Sequence, residues 1–119
     1  EGAKNNIKTN VIAPIAKTRM TEALLGAFAD AVKADHVTPL VAYLTSEQCQ
    51  LSHEVFSVGG GRYSRIFVGL TPGWFAGKGK TATPEDVRDH LDQIRSTDGY
   101  IIPASIADEM KLLLDTLKS

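Results

Sequence analysis

The stretch Asn10-Val11-Ile12-Ala13-Pro14-Ile15-Ala16-Lys17-Thr18-Arg19-Met20-Thr21 governs how the rest of the chain is read. Ile7 to Ile12 is β-branched at Ile7, Thr9, Val11 and Ile12, which predicts a short strand. Ala13-Pro14 is expected to stop it, because proline has no N–H to carry a sheet ladder onward. Open α/β sheets bind ligands beyond the carboxyl ends of their strands. Pro14, Ile15, Ala16 and Thr18 are therefore candidate binding residues, with an ordinary strand-ending turn as the alternative.

Outward from this turn, Leu24, Leu25, Phe28, Ala31 and Val32 fall at helical spacing and predict a helix from about Thr21 to Val32. A second helix is expected from His36 to Glu47. Asp35 is its candidate N-cap, Pro39 lies in its first turn, and Val37, Leu40, Val41 and Leu44 form its apolar face. Val55 to Val58 reads as a strand ended by Gly59-Gly60-Gly61, and Tyr63 to Val68 as another extended segment. Gly73 to Ala82 reads as loop. Thr83-Pro84 places a capping side chain before a proline at the start of a helix striped by Val87, Leu91 and Ile94. A last helix follows Ser105, with Ile106, Met110, Leu113, Leu114 and Leu117 on one face. Two strands do not make a stable sheet alone, so further strands are expected from an upstream segment of the same polypeptide or from a partner chain.

The 119 residues suffice for one small domain, and 43% apolar with 23% charged residues is a globular composition. Thirteen basic against fourteen acidic residues supply no global field to attract nucleic acid or a membrane, and neither is expected as a partner. The single cysteine, Cys49, cannot form an internal disulfide, which favours a reducing compartment over secretion. Leu117-Lys118-Ser119 is not the Ser-Lys-Leu peroxisomal signal. The chain opens at Glu1 without a methionine, and Asn5-Asn6 reads as a helix end running into a strand. A processed or excised chain is the expectation.

The segment from Asn10 to Thr21 resembles the short-chain dehydrogenase/reductase family, in which a similar strand ends in Asn-x-Ile-x-Pro-Gly before a threonine and often a methionine. Ile15 stands where that family has glycine, and the interval from Pro14 to Met20 is one residue short. Both departures look like the (3R)-hydroxyacyl-CoA dehydrogenase region of the multifunctional-enzyme type 2 group, with its similar Ala-Pro-x-Ala-x-x-Arg-Met-Thr run. A second block, Pro39 to Glu47 followed by Val55 to Gly61, is similar to the family's last long helix and last strand. The extension beginning Arg62-Tyr63-Ser64-Arg65-Ile66-Phe67 resembles that group too.

The resemblance implies an α/β fold: the C-terminal portion of a Rossmann-type parallel sheet (residues 1–61) with a helical C-terminal extension (62–119). It implies NAD as cofactor, held partly by Pro14, Ile15, Ala16 and Thr18, with Thr18 the first choice for the carboxamide and the Ala16 and Lys17 backbone next. It implies an acyl-CoA substrate, with Met20, Leu24 and Phe28 in the family's substrate loop; there Leu24, Leu25 and Phe28 could form a lid over an acyl chain, whereas on periodicity alone they are core residues. It further implies a homodimeric parent enzyme, located in the peroxisome of a eukaryote or the cytoplasm of a bacterium.

The catalytic set is expected elsewhere. No Tyr-x-x-x-Lys occurs: Tyr43 is followed four residues on by Glu47, Tyr63 by Phe67 and Tyr100 by Ala104. No Gly-rich dinucleotide turn opens a helix. The family's Ser/Tyr/Lys set and glycine turn would lie upstream, so no catalytic residue is assigned and the chain alone is expected to be inactive. An assembly segment without catalysis, or part of a 3-oxoacyl carrier-protein reductase, are the alternatives. Lys17 and Arg19 could meet phosphate, but solvated charge is the simpler account. Arg62, Arg65, Lys78 and Lys80, in a stretch without acids, suit an anion such as coenzyme A, and nearby Tyr63, Phe67, Trp74 and Phe75 suit a partner surface. Solvated surface is an equal alternative. His36, His53, His90 and Cys49 lack metal-ligand spacing, and no metal site is assigned.

Overall fold

The computed structural model describes residues 1–119. Two compact units divide the chain, Glu1–Phe67 and Val68–Ser119. The first holds a three-stranded sheet in the order β1 (Val11–Ile15), β2 (Val55–Gly59), β3 (Arg62–Ile66). β1 and β2 are parallel and β2 and β3 antiparallel. The third strand thus comes from this chain, joined to β2 by a tight turn in which Gly60 and Gly61 both take positive φ, 57° and 82°. Such turns match the twist of the flanking strands and favour glycine. The expected boundary after Gly61 falls at this turn, within the first compact unit.

Strand β1 begins later than its β-branched run and continues through Pro14 to Ile15. The geometry of a parallel ladder explains this. Each residue's N–H and C=O point to the same side, alternating along the strand. The Val11 N–H donates to the Glu54 carbonyl (2.9 Å), so Val11, Ala13 and Ile15 address β2 while Ile12 and Pro14 address the open edge. The N–H that proline lacks is one β2 never uses.

Asn10 fixes this register. Its amide donates to the Leu51 carbonyl (3.0 Å) and its side-chain oxygen accepts from the Glu54 N–H (3.2 Å). The Thr9 N–H donates to Ser52 Oγ and the His53 N–H to the Thr9 carbonyl. One sheet face is overlain by α2 (Thr38–Leu44), where Leu40, Tyr43, Leu44 and Phe56 border a cavity of about 290 Å³. On the other face Val11, Ile15 and Ile66 are about half exposed.

The helix expected from Thr21 to Val32 is broken. α1 covers only Glu22–Leu25, and Gly26 (φ 53°, ψ −123°) ends it before a 3-10 stretch, Gly26–Ala31. α2 is likewise shorter than expected. A 3-10 turn, Ala34–His36, precedes it, and Asp35 makes no cap. Asn6, at the end of the opening 3-10 turn Gly2–Asn5, takes the left-handed conformation that suits a helix end.

In the second unit Leu70 and Ile101 exchange two backbone hydrogen bonds of 2.8 Å. α3 (Pro84–Asp89) opens with a capping box: Thr83 Oγ1 accepts from the Asp86 N–H, and the Thr83 N–H donates to the Asp86 carboxylate. The expected continuous helix is interrupted at His90, and α4 resumes over Leu91–Arg95. The His90 ring reaches back to the Asp86 carbonyl (2.7 Å), which already accepts the His90 N–H, and stacks on Trp74 at 4.0 Å. α5 (Ile106–Lys118) follows Ser105 as expected, and the Ser105 Oγ caps it. Its stripe of Ile106, Met110, Leu113, Leu114 and Leu117 remains exposed, while Leu112 and Thr116 are half-buried.

Two outcomes are expected. Asn10→Ala removes two hydrogen bonds between β1 and the segment leading into β2, and should destabilise the first unit by roughly 2 kcal/mol in denaturant unfolding. Thr83→Ala should lower α3 stability by about 1 kcal/mol, read from amide exchange. The Thr83 backbone and hydroxyl hold the Asp86 carboxyl below the usual carboxylate range. That contribution exists above the unfolded pKa and is lost as pH falls through the folded one. The same substitution should therefore move the Asp86 titration upward by NMR.

Candidate functional site

Beyond the carboxyl end of β1 the chain folds into a tight polar turn. The Lys17 N–H donates to the Val32 carbonyl (2.7 Å), tying the turn to the end of the 3-10 stretch. Thr21 holds the centre. Its hydroxyl donates to the Ala16 carbonyl (2.6 Å) and accepts from the Thr18 N–H (2.9 Å). The Thr18 and Thr21 hydroxyls lie 3.1 Å apart. The Glu22 N–H then donates to the Thr18 carbonyl (2.9 Å) and starts α1.

This turn and α1 border a cavity of about 340 Å³ lined by Pro14, Ile15, Ala16, Thr18, Thr21, Leu24 and Leu25. The four candidate cofactor residues are thus brought together. Of the three candidate substrate residues, Leu24 lines the cavity, whereas Met20 (93% exposed) and Phe28 (74% exposed) do not. Pro14, Ile15, Leu24 and Leu25 make the walls apolar. Ala16, Thr18 and Thr21 supply a few converging polar atoms. Small-molecule sites combine these features at roughly 300–1,000 Å³, so the volume suits one ring and its substituent better than a whole dinucleotide. Thr21 was not singled out as a site residue from the sequence, whereas Leu25 was weighed with Leu24 and Phe28 as a lid over an acyl chain and lines the cavity beside Leu24. The threonine at the end of the Arg19-Met20-Thr21 run was the available signal.

Lys17 is engaged elsewhere. Its ammonium lies 2.8 Å from the Asp30 carboxylate and 3.9 Å from Glu22. The hydrogen bond to Asp30, and then its charge and that of Glu22, raise the Lys17 pKa; the same bond lowers that of Asp30. Both groups are exposed, so the pair acts as a tether rather than a large source of stability. Arg19 makes no ion pair. Arg65 pairs with Glu54 at 3.2 Å, and the Tyr63 hydroxyl donates to the His36 carbonyl. Cys49 is buried. No helix is long and apolar enough to cross a membrane.

The β1–β2 pair, the crossover between the strands and the turn at the β1 carboxyl end place the chain in the Rossmann-type class. It matches the structure of full-length peroxisomal multifunctional enzyme type 2 from Drosophila melanogaster at TM-score 0.78 and 24% identity, over 98% of this chain and 21% of that one. No protein-family profile matches. Peroxisomal multifunctional enzyme A of Dictyostelium discoideum is 33% identical over 120 residues, covering 100% of this chain and 26% of the relative. Peroxisomal multifunctional enzyme type 2 of Mus musculus is 35% identical over 119 residues, covering 98% and 16%. A protein of Mycobacterium tuberculosis described as a short-chain type dehydrogenase/reductase is 45% identical over 67 residues, covering 56% and 23%. The chain's homologues are the peroxisomal multifunctional enzymes, and over a little more than half its length it is also similar to a protein of short-chain dehydrogenase/reductase type. The chain spans about a quarter or less of the multifunctional enzymes' length.

Asp30→Asn should lower the Lys17 titration towards that of an ordinary lysine, with Glu22 alone left to raise it, observed by NMR of the side chain. The pair's contribution exists above the unfolded pKa of Asp30 and below that of Lys17. It is lost as pH falls through the lowered Asp30 value, or rises through the raised Lys17 value.

Proposed function

We propose that this chain forms one wall of the nicotinamide site, together with the C-terminal extension, of an NAD-dependent dehydrogenase. The enzyme would oxidise a 3-hydroxyacyl-CoA to the 3-oxoacyl-CoA in fatty-acid β-oxidation. The observation that carries this reading is the cavity at the end of β1, which gathers Pro14, Ile15, Ala16 and Thr18 beside Leu24. The homologues support it: those of Dictyostelium discoideum and Mus musculus are named peroxisomal multifunctional enzymes, and one of Saccharomyces cerevisiae is named peroxisomal hydratase-dehydrogenase-epimerase. The peroxisome is the matching compartment in a eukaryote; in a bacterium it would be the cytoplasm.

The roles of this chain's residues follow from their placement. Pro14 and Ile15 present an apolar surface for one face of a flat ring and exclude water from it. Ala16 and Thr18 carry the polar atoms that orient a carboxamide. Leu24 borders the acyl side. The cofactor, when bound, supplies hydride acceptance. The serine, tyrosine and lysine that move the substrate proton, and the glycine turn that seats the pyrophosphate, belong to sequence outside this chain.

Burial supports such a division. Ala29, Cys49 and Val58 are the buried residues of the whole chain, too few for a freestanding core of this length. The open β1 edge and half-exposed Val11, Ile15 and Ile66 suit strands and helices supplied by an upstream segment or a partner chain. A homodimer is the assembly we propose for the complete enzyme.

The test compares the purified chain with the protein expressed from the complete gene, using NAD and a 3-hydroxyacyl-CoA. The longer protein should produce NADH and the 119-residue chain none. Turnover by the chain alone, or turnover of a 3-oxoacyl carrier-protein substrate in preference to the CoA ester, would refute the assignment.

A further inference from the structure

We infer that Thr21 sets the polarity of the pocket: it turns the Thr18 hydroxyl into an acceptor, so that the site selects a ligand amide that donates. This deepens the reading of the cavity as a nicotinamide wall and rests on it. The argument is a count of hydrogen-bonding capacity. A threonine hydroxyl has one proton and two lone pairs. The Ala16 carbonyl can only accept, so the 2.6 Å contact consumes the Thr21 proton. The Thr18 N–H can only donate, so the 2.9 Å contact consumes one Thr21 lone pair. Towards the Thr18 hydroxyl, 3.1 Å away, Thr21 has only a lone pair left, and Thr18 must supply the proton.

The consequence falls on the cavity lining. Thr18 keeps two lone pairs and no free proton. Its own N–H is committed to Thr21, and the neighbouring Lys17 N–H to the Val32 carbonyl. The Ala16 carbonyl is an acceptor as well. Thr18 therefore offers a ligand acceptors without a matching donor, with the Ala16 carbonyl beside it. A carboxamide brings an NH₂ and satisfies them. A carboxylate in the same place brings only lone pairs and meets lone pairs. Thr21 is a positioning residue here, acting through Thr18.

The decisive measurement is binding, by fluorescence titration of the protein expressed from the complete gene. The two probes are NADH and its analogue with nicotinic acid in place of nicotinamide. Wild type should prefer the amide by about tenfold or more, the scale of one unmade buried hydrogen bond. Thr21→Val, which keeps the shape but frees the Thr18 proton and N–H, should shrink that preference to about threefold or less. Thr21→Ser should retain it. Thr18→Val supplies the control. If Thr18→Val leaves NADH affinity unchanged, the wall reading itself fails. If Thr18→Val weakens NADH but Thr21→Val discriminates as well as wild type, only the positioning role fails. Should Thr21→Val not fold, wild type decides alone: equal affinity for the two dinucleotides overturns the inference.

Discussion

The parallel pairing of β1 with β2 is the constraint from which the first unit follows. The Val11 N–H on the Glu54 carbonyl sets the phase of the ladder, and the two-sided grip of the Asn10 amide on Leu51 and Glu54 holds it. A slip of one residue would turn Pro14 towards β2, where its missing N–H would break the ladder. It would also bring Ile12 to the face now occupied by Val11, Ala13 and Ile15. With the phase as it stands, β1 runs to Ile15, and the chain leaves the sheet where the Thr21 hydroxyl can catch the Ala16 carbonyl. The cavity is the space this exit creates. It exists because the strand ends in a proline facing outward and the next turn is tied by a side chain instead of a ladder.

The same geometry shows why some of the structure was legible in the sequence and some was not. Signals confined to a few neighbouring residues transferred well. Thr83 capped the helix that opens at Pro84, α5 began after Ser105, and β2 formed over the apolar run before its glycines. Pro14 misled because its effect depends on the side to which its nitrogen points. That side is fixed by Asn10 and Glu54, more than forty positions apart, with no trace in local composition. The predicted helices were periodic enough, but periodicity does not register a residue that leaves the helical region. Gly26 ended α1, and His90, with φ −109° and ψ 13° and its ring stacked on Trp74, interrupted the helix between α3 and α4. The candidate cofactor residues were proposed from their place at the end of a strand and from the resemblance. Thr21, which arranges them, needed coordinates, because its role lies in three partners and not in its own type.

Electrostatics around the turn also resolves a choice the sequence left open. Lys17 stands next to Thr18, where a cation could serve a phosphate, yet Asp30 and Glu22 take its charge. An anion approaching Lys17 would have to displace two carboxylates, and its own field would add to theirs. The pair joins the turn to the 3-10 stretch at the same place as the Lys17 N–H bond to Val32, so backbone and side chain of one residue fix both ends of the loop that carries α1. Arg19 remains without an ion pair, on the exposed side of the turn. The turn is thereby close to neutral at the cavity, which suits the uncharged end of a cofactor better than its phosphates.

The exposed apolar surface carries the remaining argument. Val11, Ile15 and Ile66 on one sheet face, and the α5 stripe in the second unit, stand in water together with many other large apolar side chains. Each exposed group forfeits stabilisation of roughly 25 cal/mol per Å² that burial would provide. No buried side-chain polar atom lacks a hydrogen-bond partner. A chain with its local polar requirements met and its apolar requirement unmet has settled its turns and strand register but not its core. The β1 edge adds directionality to that deficit. Ile12 offers an N–H and a C=O, and Pro14 a C=O alone, so a strand added there would lose its ladder at Pro14 and diverge from β1. Such a divergence would leave the sheet open beside the Pro14–Thr18 turn.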